Sequence, residues 1–219
     1  MFNGKMKAVT FSYDDGVAQD KRLIALFNKY GLKGTFNLNS ELFGRGNRIP
    51  AHEIRETYAG HEIAVHTLTH PTLTHCSEAE IIRQVAQDRA NLSEIAGYEV
   101  VGMAYPGGGV NYNHDVAEII RRNTTIQYAR TTVCSVNCDL QSNLLEFLPS
   151  TKHTDFYELF TVAREFLELQ PTEPKLFYIW GHSYELDFED NWTRFENFCK
   201  LIANRDDIFY GTNKEVLLG

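Results

Sequence analysis

Hydrophobic positions recur along the chain in two alternating rhythms: short runs of apolar and β-branched residues, and longer stretches whose apolar residues return every three or four positions. The runs read as strands and the stretches as helices. Residues 7–12 are the first such run, and Gly16 lets the chain turn after it. Residues 18–30 then place Leu23, Ile24, Leu26 and Phe27 on one helical face and stop at Gly31, a C-cap glycine. Residues 34–38 predict a second strand, 49–58 a short helix ended by Gly60, and 61–66 a third strand. Ser77 and Glu80 frame a capping box that opens a long helix, with Ile81, Ile82, Val85, Leu92 and Ile95 as its apolar stripe. A fourth strand at 100–105 is stopped by Pro106 and three glycines; a helix at 113–123 and a fifth strand at 125–130 follow. Residues 131–152 carry neither rhythm and are expected to form a long functional loop. A helix at 156–169, a strand at 175–180, a helix at 191–204 and a strand at 208–210 complete the series.

Strict alternation of strand and helix predicts a parallel sheet flanked by helices, as an incomplete TIM-like barrel or an open doubly wound sheet. The 219 residues, 43% of them hydrophobic, suit a single α/β domain spanning 1–219, with no linker, repeat or low-complexity run. A formal net charge of -8 argues against nucleic acid as partner. No apolar stretch approaches the roughly 20 residues of a membrane span, and the first strand follows Met1 too closely for a signal peptide. The expectation is a cytoplasmic protein that meets no membrane, or an exported one if a leader was trimmed. Cys76, Cys134, Cys138 and Cys199 are too sparse for a disulfide framework. Cys134 and Cys138 lack a second zinc half-site and read as ordinary thiols.

Polar chemistry collects at the carboxyl ends of the predicted strands. Asp14 and Asp15 follow the first, His66 and His70 the third, Tyr105-Pro106-Gly107 the fourth and His182 the sixth. In a parallel barrel those ends share one mouth. Two adjacent carboxylates repel, and a divalent cation between them relieves the repulsion. His66 and His70 lie four residues apart, but Pro71 denies a helix there, so the pair comes from a strand end and the turn leaving it. Two histidines and one aspartate make a facial ligand set with positions left open for water and substrate. Only one of the two aspartates is needed as a ligand, which leaves the other as a general base, with His182 as candidate acid. The N–H groups of Gly107 and Gly108 are candidate oxyanion donors. His52, His61, His75, His114 and His153 read as surface or loop residues, His75 being the nearest rival ligand. Tyr105, Tyr112, Trp180, Tyr184 and Trp192 fall near the mouth, where aromatic faces suit sugar rings.

These motifs resemble those of the polysaccharide deacetylases, also called the NodB homology domain or carbohydrate esterase family 4. Thr10-Phe11-Ser12-Tyr13-Asp14-Asp15-Gly16 is similar to the family's TFDDG with extra residues before the acids, His66 to His70 matches H(S/T)xxH, and Phe177 to His182 resembles its closing strand and histidine. The resemblance spans nearly the whole chain. It implies a distorted (β/α) barrel of about seven parallel strands, forming one catalytic domain over 1–219. It also implies Asp14 as general base, Asp15, His66 and His70 as ligands of a divalent metal, usually zinc with cobalt as an alternative, and His182 as general acid. Tyr105 and Gly107 would face the substrate or its oxyanion.

Two departures stand out. Where the family reads RxPY, this chain has Ala104-Tyr105-Pro106-Gly107, so the arginine that orients the base is missing; Arg130, at the end of the fifth strand, is the candidate replacement. The family's fourth motif, an Asp and Trp pair that tunes the acid, has no match between Thr131 and Leu148, where Asp139 is the central acid. The expected activity is metal-dependent removal of an N-acetyl group from an amino sugar or its polymer. O-acetyl xylan and small amides are the alternatives on the same site. From other classes, a non-haem iron oxygenase would leave Asp14 and His182 without roles, and a non-catalytic carbohydrate-binding relative would be expected to have lost a ligand or the base.

Overall fold

The computed structural model describes residues 2–219. Its elements run in chain order as β1 (Lys7–Asp14), α1 (Asp20–Tyr30), β2 (Gly34–Leu38), α2 (Ala51–Thr57), β3 (Glu62–Val65), α3 (Glu78–Ala96), β4 (Gly102–Ala104), α4 (His114–Asn123) and β5 (Tyr128–Arg130). There follow β6 (Thr151–Lys152), α5 (Phe156–Glu168), β7 (Lys175–Gly181), α6 (Asn191–Ile202), β8 (Ile208–Tyr210) and α7 (Asn213–Leu218). Caps fall where the side chains can make them. Gly31 adopts φ 66° after α1, and the Ser77 hydroxyl accepts from the Glu80 N–H at the start of α3.

The strands pair in the order β5-β4-β3-β2-β1-β7-β6, all parallel, while β8 pairs with the first residues of β1. Seven parallel strands thus curl into a distorted half-barrel. Its open side is spanned by the segment entering β6, because Phe147 bridges Arg130 in parallel and donates to the Ala129 carbonyl at 3.0 Å. The stretch 131–152 is therefore more than the loop expected: it holds one short 3-10 turn (Leu144–Glu146) and the two-residue β6. Neither is long enough to imprint a period on the sequence. A closing helix, α7, was likewise not expected.

Strand alternation sorts the residues of each strand into two sets. Val9, Phe11, Tyr13, Phe36, Ile63, Val65, Phe177 and Ile179 belong to the main apolar core between barrel and helices. There Phe11 packs on Phe27 with ring centroids 4.7 Å apart and meets Phe195 and Phe198 edge-on. Each such fully buried ring contributes about 1.5–3 kcal/mol by leaving water. The intervening residues, Thr10, Ser12, Asp14, Thr35, Asn37 and Glu62, are buried and polar, and they bond across the barrel interior rather than into that core. Among the described residues no helix is long and apolar enough to cross a membrane.

Candidate active site

β1 ends on Asp14, which the alternation turns into the barrel mouth with 1% of its surface exposed. Its carboxylate accepts from one guanidinium nitrogen of Arg130, at 2.6 Å to Oδ1 and 2.5 Å to Oδ2, and from Asn37 Nδ2 at 2.8 Å. Arg130 is completely buried. Its Nε donates to Ser12 Oγ at 3.2 Å, its Nη1 to the Thr131 carbonyl at 3.0 Å, and its Cζ lies 4.5 Å from the Trp180 ring centroid. Burial alone would raise the Asp14 pKa; Arg130 first, then His66 and His182, outweigh it and hold the carboxyl below its usual range. Arg130 thus contacts the carboxylate that the absent motif arginine was expected to orient.

Asp15, His66 and His70 converge at the end of β1 and beyond β3, with one ligand atom from each within 4.8 Å of the others. Three residues of these turns hold left-handed backbone without being glycine: Asp15 (φ 83°), Thr67 (φ 69°) and His70 (φ 60°). Such conformations cost about 1–3 kcal/mol each and persist only where the surroundings impose them. Here the surroundings are polar and buried. Asn39 Nδ2 donates to the carbonyls of His66 and Thr67, at 2.5 and 2.9 Å. Asp88 accepts from the N–H of His66 and of Ser40, and Gln84 bonds both the N–H and the hydroxyl of Thr69. Burial pushes Asp88 up to about 7.

The site fits a divalent cation on an observation independent of motif. His66 is 1% exposed and its Nδ1 lies 2.9 Å from the Ala104 carbonyl, yet among the described residues its buried Nε2 has no hydrogen-bond partner. Burial brings His66 down to about 4, which keeps the ring neutral with a lone pair to offer. The Nδ1–carbonyl bond fixes the tautomer that leaves this lone pair on Nε2. Arg48 lies 3.2 Å from Asp15 and is its nearest cationic side chain.

His182 follows β7, with Nε2 3.9 Å from Asp14 Oδ2 and Nδ1 3.3 Å from Glu185 Oε2. Burial works against charge on this ring, but Glu185, Asp14 and Asp15 together raise its pKa above the ordinary histidine value. Asp14, Asp15, His70, Gly107, Gly108, Thr132, Lys152, Trp180, His182 and Tyr184 line one cleft of about 360 Å³. Among the described residues the N–H groups of Gly107 and Gly108 donate to no protein acceptor.

Several expectations need correction. Tyr105 does not face the cleft: β4 turns Ala104 inward and Tyr105 outward, where its hydroxyl donates to Leu145 at 2.8 Å and its ring stacks on Tyr112. Its N–H is also taken, by the Arg130 carbonyl at 3.0 Å, so it has no donor left for a substrate oxyanion. His153 and His61 are buried rather than on the surface, at 0% and 8% exposure. Asp139 pairs with Lys175 at the opposite end of β7 from His182, and Trp192 lies against Arg22, away from the mouth. The positioning residues Asn37, Asn39, Gln84, Asp88 and Glu185 were missed. For Gln84 and Asp88 a signal existed: they share the inward stripe of α3 with Ile81, Val85 and Leu92.

A parallel β/α half-barrel with an Asp-His-His set at the carboxyl mouth, able to hold a divalent metal beside an open cleft, sets the class of the protein. The chain belongs to the polysaccharide deacetylase family, whose description matches residues 3–127. It is 30% identical over 112 residues to the peptidoglycan-N-acetylmuramic acid deacetylase PdaC of Bacillus subtilis, a match covering 50% of this chain and 23% of that protein. The chain thus aligns with less than a quarter of that relative's length. Among solved structures, the Xyl-CE4 domain of a multidomain xylanase from the hindgut metagenome of Trinervitermes trinervoides superposes with a TM-score of 0.62 at 15% identity, over 97% of this chain and 90% of that one. The family 4 carbohydrate esterase of Streptomyces lividans does so at 0.59 and 14% identity, over 91% and 89%. At such identities these two likenesses speak for the fold.

Proposed function

We propose that the chain hydrolyses the N-acetyl group of an amino sugar or its polymer, releasing acetate and a free amine. The observation that carries this reading is the position of Asp14 Oδ2, 4.0 Å from the unpartnered His66 Nε2 and 3.9 Å from His182 Nε2. A single carboxylate oxygen between a metal-ligand atom and a protonatable ring is where a base for water must stand. Asp15, His66 and His70 would hold a divalent metal, zinc being the expected ion, whose Lewis acidity would lower the pKa of a water and polarise an acetyl carbonyl. Asp14 takes the proton of the attacking water as the C–O bond forms. The N–H groups of Gly107 and Gly108, which line the cleft and donate to no protein acceptor among the described residues, are the donors this reading assigns to the developing oxyanion. His182, protonated through its carboxylate neighbours, then gives its proton to the leaving nitrogen as the C–N bond breaks. Arg130 keeps Asp14 ionised and aimed. The 30% identity to a relative named for N-acetylmuramic acid favours an amide on an amino sugar over an ester.

The test is acetate release from N-acetylglucosamine oligomers and from peptidoglycan, before and after chelation and after return of zinc or cobalt. Release that stops with chelation and returns with the metal is expected. Bound metal with acetate released only from xylan esters or small amides would move the substrate, and protein without metal affinity would overturn the site. His66→Ala is expected to lower metal stoichiometry, read by elemental analysis, and to abolish turnover, because it removes the most deeply buried ligand.

A further inference from the structure

Behind His182 lies a polar chain that the proposed reaction does not use directly. Glu185, three residues on in the 3-10 turn (Ser183–Asp187) that His182 caps, receives four groups. His153 Nε2 lies at 3.0 Å and the His182 N–H at 3.2 Å from its Oε2, His182 Nδ1 at 3.3 Å from the same oxygen, and Lys152 Nζ at 2.6 Å from Oε1. His153 is wholly buried. Its Nδ1 lies 3.0 Å from the Tyr13 hydroxyl, and its ring meets Tyr13 and Phe195 edge-on. A carboxylate only accepts, so Nε2 of His153 carries the ring proton toward Glu185, and Tyr13 donates to Nδ1. The backbone is shaped around this ring. A Cβ on Gly181 would lie 2.1, 2.3 and 2.6 Å from His153 Cδ2, Nε2 and Cγ, so only glycine before His182 admits the imidazole.

On the reading above of His182 as the acid, we propose that His153 is a positioning residue: it locks the Glu185 carboxylate against His182, and Gly181 is the space kept for it. Tyr13, one residue before Asp14, faces the outer core and anchors the far end, so β1 supports both catalytic groups, one from each face. Glu185 is held well below the carboxylate range; burial opposes this, and His153, His182 and Lys152 outweigh it. The groups facing His182 are Asp14 and Asp15 at the end of β1, Lys152 and His153 from β6 and its exit, and Tyr184 and Glu185 on its own turn; Asp20 of α1 reaches the turn through Ser183. Glu185 is the carboxylate nearest the ring, with Oε2 3.3 Å from Nδ1 and accepting from the His182 backbone N–H, and His153 fixes where it stands.

The sign follows from the acid's role. His182 works protonated, so activity falls as pH rises through its pKa, and loss of the Glu185 charge lowers that pKa. Glu185→Gln is therefore expected to shift the His182 imidazole titration, followed by nitrogen-correlated NMR of metal-free protein, about one pH unit toward acid. In the metal-loaded enzyme the basic limb of the rate profile should move the same way, with kcat down about 10-fold and KM and metal content unchanged. His153→Ser should shift both in the same direction, because Glu185 is freed to turn toward solvent. Gly181→Ala should reproduce His153→Ser in the native background and be nearly silent when added to His153→Ser, where no ring remains to displace. Unchanged His182 titration in folded Glu185→Gln, or additive effects of Gly181→Ala and His153→Ser, would overturn the proposal. The NMR arm needs no substrate. A shifted titration in a protein that deacetylates nothing would keep the dyad and overturn only the role given to His182.

Discussion

Asp14→Asn is expected to bind metal as the native protein does and to turn over about 10²–10⁴-fold more slowly, the range typical of a lost general base. The separation follows from geometry. The three converging ligand atoms belong to Asp15, His66 and His70, whereas both Asp14 oxygens are taken by Arg130. Asparagine preserves the shape and can still accept from Arg130 through its one carbonyl oxygen, but it cannot take a proton from water. KM is expected to change little, because the lost interaction matters when the proton moves. The substitution also leaves Arg130 buried without its counter-charge, so kcat belongs on protein shown to be folded, well below its melting temperature. Elemental analysis beside steady-state acetate release is the check. Metal lost together with activity would mean that the two adjacent acids have been given each other's roles.

How far this site could be read from sequence depends on the physical signal each residue leaves. Asp14, Asp15, His66, His70 and His182 are legible because they end strands, and strand ends in a parallel barrel meet. The strand and helix order is legible for the same reason, since period-two and period-3.6 patterns survive wherever one face is buried. The two-residue β6 was not legible, and with it went the bridge that spans the barrel's open side and delivers Lys152 and His153. Tyr105 misled because the residue after a strand was taken to face the mouth, whereas alternation from Ala104 sends it outward. His153 misled because a histidine beside an irregular stretch looks solvated; the hint was Gly181, a glycine inside an apolar strand, which signals a close approach by another group.

Arg130 is the residue whose loss should be felt in both folding and turnover. Arg130→Gln removes a fully buried cation from a carboxylate that is itself buried, and stranding one member of such a pair typically costs about 3–5 kcal/mol. For a chain of this size that corresponds to a melting temperature lower by roughly 6–20 °C. The catalytic effect has a separate signature. Arg130 is the strongest influence holding the Asp14 pKa down, so without it burial drives that pKa upward. A base works ionised, activity rises with pH through its pKa, and the acidic limb of the rate profile is expected to move to higher pH. Combining Arg130→Gln with Asp14→Asn should then cost clearly less stability than the two single losses added, because the double variant has no buried charge left without a partner. Calorimetry of the four proteins closes the cycle. Additive stability losses would mean that Arg130 is held by Ser12, Thr131 and Trp180 rather than by Asp14, and the base would then owe its orientation to Asn37 alone.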